Sequence, residues 1–428
     1  MVVSVPALVV PDEQTWTVLG ADPAAHGLRP CYDPAAAQRL VVPEHVPPGL
    51  ATALTDYAKA VSDLPVEYVE LPIAGGPAVG TLLESDAHDQ HQHDHGHHAH
   101  EHGHGHGGHH EMMAIVGEPS ADGLVMEHIE LTYGPLGTPL PGGLAAAVTL
   151  DGDVVAQSTI HALLRPDPPG MPDLLAPVAW TVATAASDAE TSPWLRIAAV
   201  EIERAVSHLA WLRSLGRLLD WQPLVDRCTE TLASLQLERR VLPAHEPTES
   251  WLRQAVGWAD LEESRGRVDD LVAMVRRSRA LRWRLAGRAI VTRAEALEQG
   301  LLGPVGRGSG LAADARTDDA AYRELGFEPV VRTEGDALAR TLLRSEEALA
   351  AVSLAIDALT SAYVGADAPA GTAPAVEGPR GPITARRSAG AWERAARRAA
   401  AGAMVGLEWS AALVALASFD LSPWSAGE

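Results

Sequence analysis

Apolar residues recur at steps of three and four along Trp194 to Leu219, Thr248 to Arg284 and Asp336 to Tyr363. That spacing is the period of a helix with one buried face, and each run is long enough for a bundle helix. Ahead of these runs the period is two. Alternation in Val125 to Thr132, Ala145 to Leu150 and Val154 to His161 predicts three strands. The turn residues Asp151, Gly152 and Asp153 between the last two predict an antiparallel hairpin or meander. A proline-rich connection, Pro166 to Pro177, ends the sheet. Gly303 to Gly310 reads as a glycine-rich loop and Gly365 to Gly381 as a linker.

The start of the chain is less regular. Prolines at 43, 47 and 48 precede a short helical run from Leu50 to Ser62 and an extended stretch from Val66 to Pro72, the pattern of a small α+β unit. Residues 88 to 110 are histidines interleaved with Asp, Gly and Ala, a composition without enough apolar surface to fold by itself. The predicted organisation is therefore a small α+β unit over 1–85, a disordered His-rich insert over 86–112, and a large domain over 113–428. The fold class is α+β, with a small antiparallel sheet followed by a large, mainly α-helical bundle.

Composition sharpens this picture. The hydrophobic share is 46% but the aromatic share only 4%, so the helices must pack through Ala, Leu and Val. A formal charge of -23 excludes a nucleic-acid partner, which would need a concentrated basic face. Arg276, Arg277, Arg279, Arg282 and Arg284 form a local basic run, expected to spread around one helix as a solvated or partner-facing surface. The two cysteines, Cys31 and Cys228, exclude a disulfide framework and any Cys-x-x-Cys metal site. The N-terminal stretch lacks the basic region of a secretory signal. Ala399 to Phe419 approaches the length of a membrane span, but Glu408 in its middle predicts a buried helix of a soluble domain instead.

Candidate chemistry begins on the first long helix. Glu201, Arg204 and His208 project from one face, with Glu203 beside them. The run from Glu201 to Leu209 resembles the Glu-x-Glu-Arg-x-x-Asn-His-Leu segment of hydrogenase-type large subunits, a family shared with the D-type, or 49-kilodalton, component of respiratory complex I. Four further stretches agree in order. Gly134-Pro135, Gly142 and Leu150 to Val155 resemble the family's first β-hairpin. Gly303 to Gly310, with Asp314 and Arg316 behind it, resembles the Gly-Pro-x-x-Arg-x-Ser-Gly-x-x-x-Asp-x-Arg loop. Glu334-Gly335-Asp336, Arg340, Arg344 and Glu346 resemble its Gly-Asp-x-x-x-Arg helix, and Glu377 to Gly381 its late Glu-x-Pro-Arg-Gly turn.

The resemblance implies partners and cofactors, and the departures limit them. Active members hold nickel and iron with two Cys-x-x-Cys pairs, whose thiolates are the soft ligands such a centre needs. The late pair corresponds here to Ser422 and Ser425, within Ser418-Phe-Asp-Leu-Ser-Pro-Trp-Ser425. Quinone-reducing members use a hairpin histidine, which corresponds to Pro141, and a tyrosine on a segment where Leu164 to Pro193 holds none. The family's aspartate three turns after His-Leu corresponds approximately to Asp220, two residues out of register. The expectation is a subunit with no cofactor bound by the usual ligands and not catalytic by itself. It would dock a small subunit carrying an iron-sulfur cluster and the membrane-arm subunits of a complex-I-like assembly, at the cytoplasmic face of the membrane. Glu201, Arg204, His208, Arg307, Asp314, Arg316, Asp336 and Arg340 are the expected scaffold and partner-facing set, in which Arg307, Asp314, Arg316, Asp336 and Arg340 would hold the loop to the helix and to the partner through bidentate ion pairs. The alternative is a reused fold that stores or handles metal. Its candidate nickel or zinc ligands are His91, His93, His95, His97, His98, His100, His102, His104 and His106.

Overall fold

The computed structural model describes residues 5–9, 13–18, 28–30, 37–43, 65–69, 128–134, 143–162, 192–241, 258–367, 375–383 and 391–422, with positions 23, 176, 179 and 183. The histidine tract, the run from Leu50 to Ser62, Cys31, Pro141 and Ser425 lie outside the described residues. The N-terminal part contributes β1 (Val5–Val9), α1 (Glu13–Val18), β2 (Leu28–Pro30), β3 (Arg39–Pro43) and β4 (Val66–Val69). Its four strands form one parallel sheet in the order β2-β1-β3-β4. The parallel pairing was not legible in strands of three to five residues, where no alternation develops.

The predicted antiparallel sheet is present as β5 (His128–Tyr133), β6 (Leu144–Asp151) and β7 (Val154–Ala162), in that order. Asp151 pairs with Val154 across Gly152 and Asp153, and Gly152 supplies the left-handed backbone with φ 63°. The middle strand β6 is buried along most of its length, whereas β5 is an exposed edge.

Next come α2 (Pro193–Leu218), α3 (Gln222–Val241), α4 (Trp258–Arg277), α5 (Arg279–Leu285), α6 (Arg293–Gln299) and α7 (Gly303–Gly308). A 3-10 turn, Ala315–Asp318, leads into α8 (Ala320–Glu324) and α9 (Ala337–Tyr363). The hairpin β8 (Val376–Glu377) and β9 (Pro382–Ile383) precedes α10 (Ala391–Met404) and α11 (Trp409–Ala417). Helices α2, α3, α4 and α9 form a bundle around Ile202, Leu209, Leu212, Val272 and Val352. Truncating any of these to Ala should cost about 2–5 kcal/mol. A second core joins the antiparallel sheet to α6, α7, α10 and α11. α1 packs against α2, so the N-terminal part touches the bundle.

Several expectations are corrected. The predicted helix from Thr248 to Arg284 is broken at Ser278, whose Oγ accepts from Leu281 N–H and starts α5. The glycine-rich stretch after Leu302 is a short helix, α7: Pro304 suits its first turn, and every residue from Gly303 to Gly308 is buried. The stretch Gly365–Gly381 ends in β8 and the turn that pairs it with β9, and so is more than a linker. Ala399 to Phe419 is two helices. Gly406, with φ 80°, breaks the run, and the freed backbone pairs with β7: Gly406 N–H donates to Val155 O at 2.8 Å and Val155 N–H to Leu407 O at 2.9 Å. Among the described residues no helix is long and apolar enough to cross a membrane.

Glycines separate local strain from crowding. Gly300 and Gly303 both have positive φ, but a Cβ at Gly303 would lie 1.9 Å from Arg380 O, whereas one at Gly300 meets nothing. Gly300→Ala should cost about 1 kcal/mol and Gly303→Ala about 2–4 kcal/mol. Urea denaturation checks this, and equal losses would contradict the close approach of α7 to the β8–β9 turn.

Candidate functional site

Helix α2 is buried on all sides, and its polar residues are buried with it. Glu201, Glu203, Arg204, Ser207 and His208 have no solvent exposure. Charges in that position must be paired or they would prevent folding. Arg204 Nε donates to Glu201 Oε2 at 3.0 Å, and its two terminal nitrogens donate to the carbonyls of Gly378 and Glu377 in the β8–β9 turn. Arg316 grips Asp314 in a two-pronged pair of 2.9 and 2.8 Å, and its third nitrogen reaches Glu201 at 3.1 Å. Tyr322 donates its hydroxyl to the other oxygen of Glu201 at 2.6 Å, and Phe327 stacks on Arg316 at 4.1 Å.

Arg307, on α7, is the centre. It donates to Glu347 at 2.6 Å and Glu377 at 2.9 Å, and lies 3.0 Å from Asp314. Burial opposes its charge, yet the combined pull of Glu347, Glu377 and Asp314 holds its pKa above the ordinary value. Glu347 is held well below the usual carboxylate range, because Arg307 and a hydrogen bond from His208 outweigh its burial. Three guanidiniums, Arg204, Arg307 and Arg316, face four carboxylates, Glu201, Asp314, Glu347 and Glu377. The excess negative charge shows at Glu377, which burial and neighbouring Asp314 push upward.

His208 Nε2 lies 3.1 Å from Glu347 Oε2. Burial lowers its pKa to about 4, against the opposing effect of Glu347, so the ring is neutral at pH 7. A neutral ring facing an ionised carboxylate must carry its proton on Nε2; Nδ1 has no partner among the described residues.

A second group surrounds the C-terminal turn. Arg340 donates to Ser418 Oγ through Nε at 3.0 Å and Nη2 at 2.8 Å, and also to the carbonyls of Gly335 and Ala289. Arg344 reaches the carbonyls of Ser418 and Phe419, with Trp211 stacked at 4.6 Å. Burial lowers Arg340 to about 9 and Arg344 to about 10, so both remain charged at neutral pH. Asp420, in a left-handed conformation with φ 51°, accepts from Arg380 at 2.8 Å and from Gln14 of the N-terminal part at 3.2 Å.

The structure thus brings Glu201, Arg204, His208, Arg307, Asp314 and Arg316 into one buried network, with Arg340 beside it. Asp336 does a different job: it caps α9 through Ala339 N–H at 2.7 Å and accepts from Gly287 N–H at 2.7 Å. Asp220 ends α2 in a left-handed conformation with φ 52°. Sequence reading missed Glu347 and Tyr322. Glu346, the acid that matches the family's motif, faces outward to Arg276 and Arg332. The helical period supplied a signal for Glu347, since 340, 344 and 347 share one face. Among the described residues no group of three or more His, Cys, Asp or Glu is arranged to hold a metal ion. Cys228 is buried in the bundle, and burial pushes its thiol up to about 12.

The sequence profile described as "Respiratory-chain NADH dehydrogenase, 49 Kd subunit" matches residues 244–384, the stretch that holds Arg307, Asp314, Arg316, Glu347 and Glu377. The chain is related to the 49-kilodalton subunit family. A D-type subunit of the NADH-quinone oxidoreductase of Solibacter usitatus is 26% identical over 195 residues, covering 41% of this chain and 47% of that protein. The carbon monoxide-induced hydrogenase of Rhodospirillum rubrum is 33% identical over 88 residues, covering 20% of this chain and 24% of that protein. The chain spans about half the length, or less, of the curated relatives it matches. A chain from the membrane-bound sulfane sulfur reductase, an archaeal respiratory membrane complex, shares the fold with a TM-score of 0.54 at 20% identity, over 69% of this chain and 97% of that one. Outside the matched stretch, Glu201, Arg204 and His208 on α2 close the network that residues 307–377 begin.

The network makes pH a test. An unfolded chain protonates His208 near its ordinary pKa of 6.5, but the folded chain resists protonation until about pH 4. The unfolded state therefore binds more protons in that window, and stability falls as pH drops from about 6.5 towards 4. The loss attributable to His208 should reach about 3 kcal/mol. Melting temperature against pH should show a shallower decline between pH 6.5 and 4.5 in His208→Gln than in the parent; parallel curves would contradict a neutral buried ring.

Proposed function

We propose that this chain is the large subunit of a membrane-associated, complex-I-like electron-transfer assembly. It docks an iron-sulfur subunit and supplies framework in place of the family's nickel-iron or quinone chemistry. One observation carries the reading: the motif residues shared with the large subunits are the ones paired with each other in the buried network. Glu201, Arg204, Arg307, Asp314, Arg316 and Glu377 come from four separate parts of the chain and meet at 2.6–3.4 Å of one another or of Glu347 and Tyr322.

The donor set argues against a nickel-iron centre. Such a centre needs thiolates, whereas Cys228 is a buried, protonated thiol within the bundle. The C-terminal turn that would carry the late ligand pair is held by Arg340, Arg344 and Arg380, with Ser418 and Asp420 as acceptors. The residues do not fit the metal centre. With no membrane-crossing helix among the described residues, the chain sits peripherally on the cytoplasmic face in this reading.

Mild-detergent purification of the tagged protein from native membranes, with mass spectrometry and metal analysis of the same eluate, tests this. The expected result is co-purification with iron-sulfur and membrane-arm subunits, with iron in the eluate. A protein recovered alone, carrying nickel or zinc, would overturn it.

A further inference from the structure

The chain carries a net charge of -23, yet residues 271–294 contain seven arginines and no acidic residue. The break at Ser278 starts a separate short helix, α5. α5 buries Leu281 and Leu285, and its opposite face presents Arg279, Arg282 and Trp283, the last 77% exposed. Ile290, in the loop that follows, is 53% exposed. Arg276 is paired with Glu346. Arg282 and Arg293 contact only backbone carbonyls, and among the described residues Arg277 and Arg279 have no carboxylate partner.

We propose that this arginine-rich corner, with Trp283 at its tip, docks the chain on an anionic lipid surface. Single apolar side chains standing among unpaired guanidiniums suit the headgroup region of a bilayer, which demands no shape complementarity and accepts Trp at its interface. Charge favours this orientation. An anionic surface repels the net acidic molecule and attracts an arginine-rich corner such as this one, and screening over about 8 Å confines the effect to the face in contact. The inference deepens the membrane-complex reading and rests on it for the presence of a bilayer. Vesicle binding by the isolated full-length chain is scored independently of co-purification, so either can fail without the other.

The test is sedimentation of the full-length protein with vesicles of phosphatidylcholine alone and of phosphatidylcholine with about 30% phosphatidylglycerol. Binding is expected only to the anionic vesicles. The double variant R279E/R282E should weaken it about tenfold or more, and Trp283→Ala severalfold. A control variant, R265E/R267E, alters arginines already paired on α4 with Glu262 and Glu263 and should bind like the parent. Circular dichroism confirms that each variant is folded. Equal binding to both vesicle types, no binding, or an R279E/R282E protein that binds like the parent would overturn the proposal. So would loss, in that variant, of a protein partner without any vesicle binding by the parent, which would assign the corner to an acidic protein surface.

Discussion

Arg307 has no exposure to solvent, so its charge has to be balanced where it stands. Three carboxylates do this, and each arrives on a different element: Asp314 ahead of the 3-10 turn, Glu347 on α9 and Glu377 on β8. None of these elements can move away without leaving a buried charge uncompensated. Breaking such a pair costs about 3–5 kcal/mol, even where replacing the whole set by apolar residues would cost little. The network therefore specifies how the pieces meet more than it adds to net stability. It makes one arrangement of α2, α7, α9 and the β8–β9 turn far better than its neighbours.

The same logic extends to the C-terminus. Arg340 and Arg344 lie on α9 within two turns before Glu347, and they hold the turn after α11 through Ser418 and the carbonyls of Ser418 and Phe419. Arg380, next to the turn gripped by Arg204, binds Asp420 of that segment. The two polar groups are thus mechanically joined through α9 and the β8–β9 turn. A site of this kind positions backbone with high precision. Its donors are guanidiniums and hydroxyls, hard groups that hold backbone carbonyls and carboxylates in place.

How much of this could be read in advance depended on the range of the interaction. Periodicity found α2, α9 and the β6–β7 hairpin within a residue or two, because their burial patterns are local. It placed Glu201, Arg204 and His208 on one face, yet gave no partner for any of them beyond the i, i+3 pair. Arg316 meets Glu201 across 115 positions of sequence and His208 meets Glu347 across 139, and no local pattern encodes such a meeting. The helical state of Gly303–Gly308 was hidden by low glycine propensity, which tertiary burial overrode. The break at Gly406 was hidden because β7 supplies the hydrogen bonds that a continuous helix would have made internally. Resemblance recovered part of what periodicity could not, since it marked Arg307, Asp314 and Arg316 as a set and picked out the turn at Glu377 without assigning it to that set. It misplaced the acid on α9 by one residue.

The most direct test of the buried network is a double-mutant cycle on Arg307→Met and Glu347→Gln, read by chemical denaturation. Each single change should destabilise strongly by stranding the other's charge, and the double variant should lose less than the sum of the singles by about 2 kcal/mol or more. Additive losses would mean that the two groups do not depend on one another, and the network would not be the constraint that holds these elements together.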